Sequence, residues 1–179
     1  MPENIASQQQ SAKHLAARAV MAYRAGFPVV LLSVTTSSER VSGIVSDWKG
    51  QRISFQNDAK LLGRAFAFVY VGSIVDQSLT GPISDDLRKE VVSDMSSALE
   101  VRQTAVDWGI ANALTETDPF AHAGYKLASR LLRLDRSLIE SLAQELTSQG
   151  TIEGNVLRKW FDANASPLNF NDLETSSTY

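Results

Sequence analysis

Apolar and polar positions change period twice along this chain, and the changes divide it into three regions. From Ile5 to Ala25, Leu15, Ala19, Ala22 and Tyr23 recur at helical spacing among alanines, and Gly26 followed by Pro28 supplies a stop, which predicts an N-terminal helix. From Pro28 to Asp76 the pattern shortens to β-branched and aromatic runs over about 28 to 36, 39 to 48, 51 to 57, 64 to 71 and 73 to 77. These predict five short strands, with turns at Ser37-Ser38 and Lys49-Gly50 and a longer connection through Asn57, Asp58, Ala59 and Lys60. Gly43 inside the second run weakens a flat strand, so it points to a sharply curved sheet.

After Gly81-Pro82 the period becomes helical. Ser84 with Asp85 and Asp86 forms a cap and acidic first turn for a helix carrying Leu87, Val91, Met95, Ala98, Ala105 and Trp108. Asp118-Pro119 opens the next, whose stripe of Leu127, Leu131, Leu134, Leu138, Leu142 and Leu146 runs to a stop at Gly150. A short helix over roughly 155 to 163 shows Val156, Leu157, Trp160 and Phe161 as its apolar face. The predicted fold class is therefore α+β: an N-terminal helix, a small five-stranded strongly bent antiparallel barrel, then about three helices. The corresponding division is residues 1–80, 82–164 and an acidic tail, read as flexible, over 165–179.

The barrel segment carries a family resemblance. Phe27-Pro28-Val29, the run Gly43-Ile44-Val45-Ser46-Asp47-Trp48, the spacing through Ile53 and Phe55 to Asn57, and Val69-Tyr70-Val71-Gly72-Ser73-Ile74-Val75 resemble the Sm-like fold, most closely the bacterial Sm-like RNA chaperones. The resemblance covers about the first 77 residues. It implies a ring built by pairing the fourth strand of one protomer with the fifth of the next, with Phe66, Phe68, Tyr70 and Ile74 at the seam. It also implies RNA as a partner. Tyr70 carries over as a base-stacking residue and Asn57 as a structural match, but Val71-Gly72 stands where the family has Lys-His, and Gly50-Gln51 where it has Gln-Phe. A separate argument supports a covered edge: Ala65 to Val71 is apolar on both faces with no charge or proline, and free edge strands are normally blunted by such residues. Packing of the chain's own helices on that strand is the competing explanation.

Charge narrows the partners. The net charge is −3, but residues 82–179 alone carry nine basic and fifteen acidic side chains. A whole-surface basic field for nucleic acid is absent, so contacts would be local: bases would stack on Tyr70 or Trp48, and phosphates would meet Lys49 and Arg52 near the barrel turn and Lys126, Arg130 and Arg133 along one helix face with Arg136 adjoining. The alternative is that this basic stripe is a solvated face balanced by Asp135 and Glu140. The apolar residues of Pro167 to Leu173 could serve as a docking peptide in an acidic context.

Candidate chemistry is sparse. With no cysteine there is neither a disulfide nor a thiolate, which fits a reducing, cytoplasmic setting. The polar N-terminus does not read as a secretory signal, and no apolar run is long enough to span a bilayer. His14 and His122, the two histidines, lie at no ligand spacing and read as surface or capping residues. Glu116-Thr117-Asp118 reads as a cap rather than a cation site. No nucleophile elbow or phosphate-cradling glycine loop occurs. The sequence thus predicts a non-enzymatic, cofactor-free oligomer of one of two kinds: an Sm-like RNA binder, or a protein-interaction or structural assembly module on such a barrel that has lost RNA binding and docks partners through its helical half.

Overall fold

The computed structural model describes residues 2–27, 29–34, 43–46, 59–77 and 85–168. Helix α1 (Pro2–Ala25) leads into strand β1 (Val29–Ser33), then β2 (Gly43–Ser46). Helices α2 (Ala59–Gln77) and α3 (Asp85–Asp107) follow, then a 3₁₀ turn (Leu114–Thr117), α4 (Asp118–Leu134) and α5 (Arg136–Gln149). The described chain ends in strand β3 (Thr151–Glu153) and helix α6 (Gly154–Asn164). The strands form one small antiparallel sheet in the order β2-β1-β3, with Leu32 opposite both Ile44 and Ile152.

The five-stranded barrel is overturned. The first two expected strands exist in shortened form as β1 and β2, the third lies outside the described residues, and the fourth and fifth are a single helix, α2. The reason lies in its sequence, AKLLGRAFAFVYVGSIVDQ, which is apolar on every side. A segment of that composition satisfies a doubly buried strand and a doubly buried helix equally well, and its length of 19 residues favours the helix. Leu62, Ala65, Phe66, Ala67, Phe68, Val69 and Val71 are all buried, which requires cover on all sides of the helix. α1, α3 and α4 provide it.

Small residues on two helices set the spacing of this core. Alanines at 12, 16, 17, 19 and 22 are buried along α1, so neighbouring helices approach its backbone closely. On α4, a Cβ added at Gly124 would fall 2.8 Å from both the Gly63 carbonyl oxygen and the Ala67 nitrogen of α2. Only a glycine lets these helices cross at that distance. Elements from the expected barrel half and the expected helical half therefore share one hydrophobic core, which includes Leu15, Phe66, Leu131 and Phe161.

The C-terminal helices follow their expected boundaries with one correction. The leucine stripe from Leu127 to Leu146 belongs to two helices, because the chain leaves helical geometry at Asp135 (φ −101°, ψ 21°). Arg24 of α1 holds that aspartate through two parallel 2.8 Å bonds, Nε to Oδ2 and Nη2 to Oδ1, and donates through Nη1 to the Ser166 carbonyl. After the break Leu142 and Leu146 point into the core, whereas Leu134 is left exposed. Gly150 ends α5 at φ +75°, as expected from its place in the pattern. The cap before Pro119 is Thr117 by position, not Asp118, and it makes no side-chain capping bond.

Candidate functional site

Two sets of charged side chains stand out, one sealed in the core and one on the surface. The buried set begins with His14, whose neighbours on α1 are almost all in the core and which is itself fully buried. Its Nδ1 lies 2.8 Å from Oδ2 of Asp76 at the end of α2. Its Nε2 lies 3.6 Å from Oδ2 of Asp94 on α3. Ser73 Oγ donates to the same Asp94 oxygen at 3.0 Å, and Arg18 Nη1 stands 3.3 Å from Asp94 Oδ1 with its guanidinium over the Phe68 ring. Gly72 makes room for the imidazole, since a Cβ there would overlap the ring.

This arrangement ties three helices together through one histidine. With a protonated imidazole, two cations face two carboxylates and the formal charge closes to zero; a neutral ring leaves one negative charge in the core. Burial pushes the Asp94 carboxyl above its ordinary range, and Arg18, His14 and the Ser73 hydrogen bond oppose that rise without cancelling it. Each carboxylate sits on a different ring nitrogen, so the oxygens do not converge on one point. Among the described residues no group of three or more His, Cys, Asp or Glu side chains could hold a metal ion. Asp76 and Asp94 are as enclosed as His14, which leaves no approach for a substrate. The cluster is a polar clamp. Sequence reading placed His14 at the surface; the signal available was its position among buried-face alanines, and its partners lie 62 and 80 residues away.

The exposed set is on α4 and α3. Buried Ala121, Ala123, Gly124, Leu127, Ala128 and Leu131 define the inward face of α4. The opposite face carries His122, Tyr125, Lys126 and Arg133, with Arg130 half-buried at its rim. Lys126, Arg130 and Arg133 have no carboxylate partner among the described residues. The two acids expected to balance them are used elsewhere: Asp135 is held by Arg24, and Glu140 is bonded by Arg136 at 2.9 Å, which holds its carboxyl below the usual range.

Large apolar side chains stand in solvent on the same face of α4 and on α3. Tyr125 is 45% exposed, Met95 69% and Leu99 58%. Met95, Leu99 and Arg102 follow one another at spacings of four and three, so they share one side of α3. Arg102 shows where that side points: it donates to the Leu114 carbonyl at 3.2 Å and to Thr117 Oγ1 at 2.7 Å, and it pairs with Asp118 at the start of α4.

The residues expected at an assembly seam are placed differently. Phe66 and Phe68 are core residues of α2, and Ile74 is half-buried on the same helix. Tyr70 stacks on Phe66 with ring centroids 5.9 Å apart and meets Tyr125 edge-on at 6.4 Å, so its faces are occupied by protein rather than open to bases. Trp48, Lys49, Arg52 and Asn57 lie outside the described residues. The fourth and fifth strands whose pairing was to build a ring are one helix, so that seam has no counterpart among the described residues. No helix among the described residues is long and apolar enough to cross a membrane. No protein-family model matches the chain, and no curated protein matches it in sequence.

Proposed function

We propose that this chain is a non-enzymatic interaction module that docks an acidic protein segment across the outer face of α4 and the adjoining side of α3. One observation carries the reading: three cations of α4 without carboxylate partners among the described residues share a face with the exposed Tyr125, and α3, whose Arg102 binds the start of α4 at Asp118, exposes Met95 and Leu99. Covering a Met or Leu side chain contributes roughly 1.5–3 kcal/mol, which a soluble surface leaves unused unless a partner takes it. The cations supply orientation and association rate more than affinity.

The exposed apolar chemistry favours a protein over a nucleic acid. Aliphatic anchors such as Met95 and Leu99 match apolar side chains, which a phosphate backbone lacks.

The test is a titration with a fluorescent 16-residue peptide of Glu and Leu arranged so that leucines fall at i, i+3 and i+4, beside a scrambled control. Saturable binding of the ordered peptide, weakened more than tenfold by Lys126→Glu with Arg130→Glu and Arg133→Glu and separately by Met95→Ser with Leu99→Ser, supports the proposal. Binding to uridine-rich RNA with none to the peptide, or equal affinity for the scrambled control, overturns it.

A further inference from the structure

A second concavity is built from different elements. The C-terminal end of α1, the start of β1 and the first two turns of α6 enclose a half-open cavity of about 680 Å³. Tyr23, Phe27, Val29, Leu157 and Phe161 form its apolar walls. Tyr23 and Phe161 lie nearly parallel, 13° apart with centroids at 4.3 Å, so they present the edges of one rigid aromatic pair. This pair is held from behind: the Arg24 guanidinium sits 5.9 Å from the Tyr23 ring centroid while anchored to Asp135, and Trp160 packs edge-on against Phe161 at 5.4 Å.

The polar groups are few and share one element. Among the described residues, Asn155 and Arg158 of α6 line the cavity and no acidic residue does. Arg158 is exposed and has no carboxylate partner among the described residues. The Asn155 carboxamide oxygen accepts from the Val156 backbone N–H at 2.7 Å, which ties that side chain to its own helix, and Arg158 is the one cation among the described lining residues. Ligand cavities of about 300–1,000 Å³ with mostly apolar walls and a small number of polar groups are the usual form of small-molecule sites.

We infer that this cavity binds a small organic anion with a flat apolar body, its ring against Tyr23, Phe27 and Phe161 and its carboxylate on the Arg158 guanidinium. The guanidinium accepts a carboxylate through two parallel N–H bonds, and stacked or edge contacts favour a planar ring over a flexible chain of equal area. A neutral analogue loses the charged contact and keeps only the apolar one. The inference stands independently of the α3 and α4 face, with which the cavity shares no residue.

Isothermal titration with 2-naphthoate on the full chain tests it. The expected result is one saturable site, at least tenfold weaker for 2-naphthalenemethanol. Arg158→Gln should weaken naphthoate at least fivefold and abolish its preference over the alcohol, with an unchanged melting temperature because the side chain is exposed. Asn155→Trp, which fills the cavity from its rim, should remove binding of both compounds. No saturable heat with the wild-type chain, equal affinity for acid and alcohol, or wild-type affinity in both variants would overturn the inference.

Discussion

The buried clamp and the surface stripe use the same kinds of side chain to opposite ends. Around His14 every charge has an opposite charge on another helix, because an isolated ion in the core costs several kcal/mol of lost hydration. On α4, water supplies that solvation, so Lys126, Arg130 and Arg133 persist without carboxylate partners among the described residues. The difference separates architecture from recognition. Charges that folding has already consumed hold α1, α2 and α3 in register, whereas charges that folding leaves unneutralised are available to a partner.

Breaking the clamp should give the largest effect. His14→Ala leaves Asp76 and Asp94 buried without the imidazole between them, and should destabilise the fold by about 3–5 kcal/mol, read by urea denaturation. A loss below about 1 kcal/mol would mean that the clamp is not structural. Next in size is Gly124→Ala, which forces α4 away from the α2 backbone and should cost roughly 1–3 kcal/mol in the same assay.

Asp94 sharpens the comparison through pH. Burial raises its carboxyl above the ordinary value of 3.8, so between 3.8 and its folded value the native state holds more protons than the unfolded chain. That component of stability is fully present below 3.8 and is lost as pH rises through the folded value. Asp94→Asn should therefore flatten the pH dependence of unfolding over this window, while losing the ion pair with Arg18. An unchanged pH profile in the variant would show that Asp94 does not titrate as its burial requires. The smallest expected effect on stability belongs to the stripe: Lys126→Glu, Arg130→Glu and Arg133→Glu should each change it by no more than about 0.5 kcal/mol, because no described partner is lost.

Legibility in the sequence followed the clarity of each segment's period. α1, α3 and α6 were readable from their amphipathic spacing, and the basic face of α4 followed from residues three and four apart. α2 was not, since its central run from Ala65 to Val71 is apolar on every side and has no face to reveal its period, and its β-branched and aromatic residues favoured the wrong alternative. The break at Asp135 was hidden because its cause, Arg24, is 111 residues away. The clamp was hidden for the same reason: Asp76 and Asp94 look like ordinary surface acids until α2 and α3 are folded against His14. β3 is three residues long, and its pairing with β1 spans 118 residues at Ser33 and Thr151, beyond any local pattern.

The most direct test of the central claim is a charge swap. The acidic peptide and its lysine-for-glutamate counterpart are each titrated against the wild-type chain and the Lys126→Glu, Arg130→Glu, Arg133→Glu triple variant, with melting temperatures recorded alongside. The account predicts that the triple variant loses the acidic peptide more than tenfold, gains the basic one, and melts within about 6 °C of wild type, as expected for three surface changes of up to about 0.5 kcal/mol each in a chain of this size. Retention of the acidic peptide by a folded triple variant would contradict it.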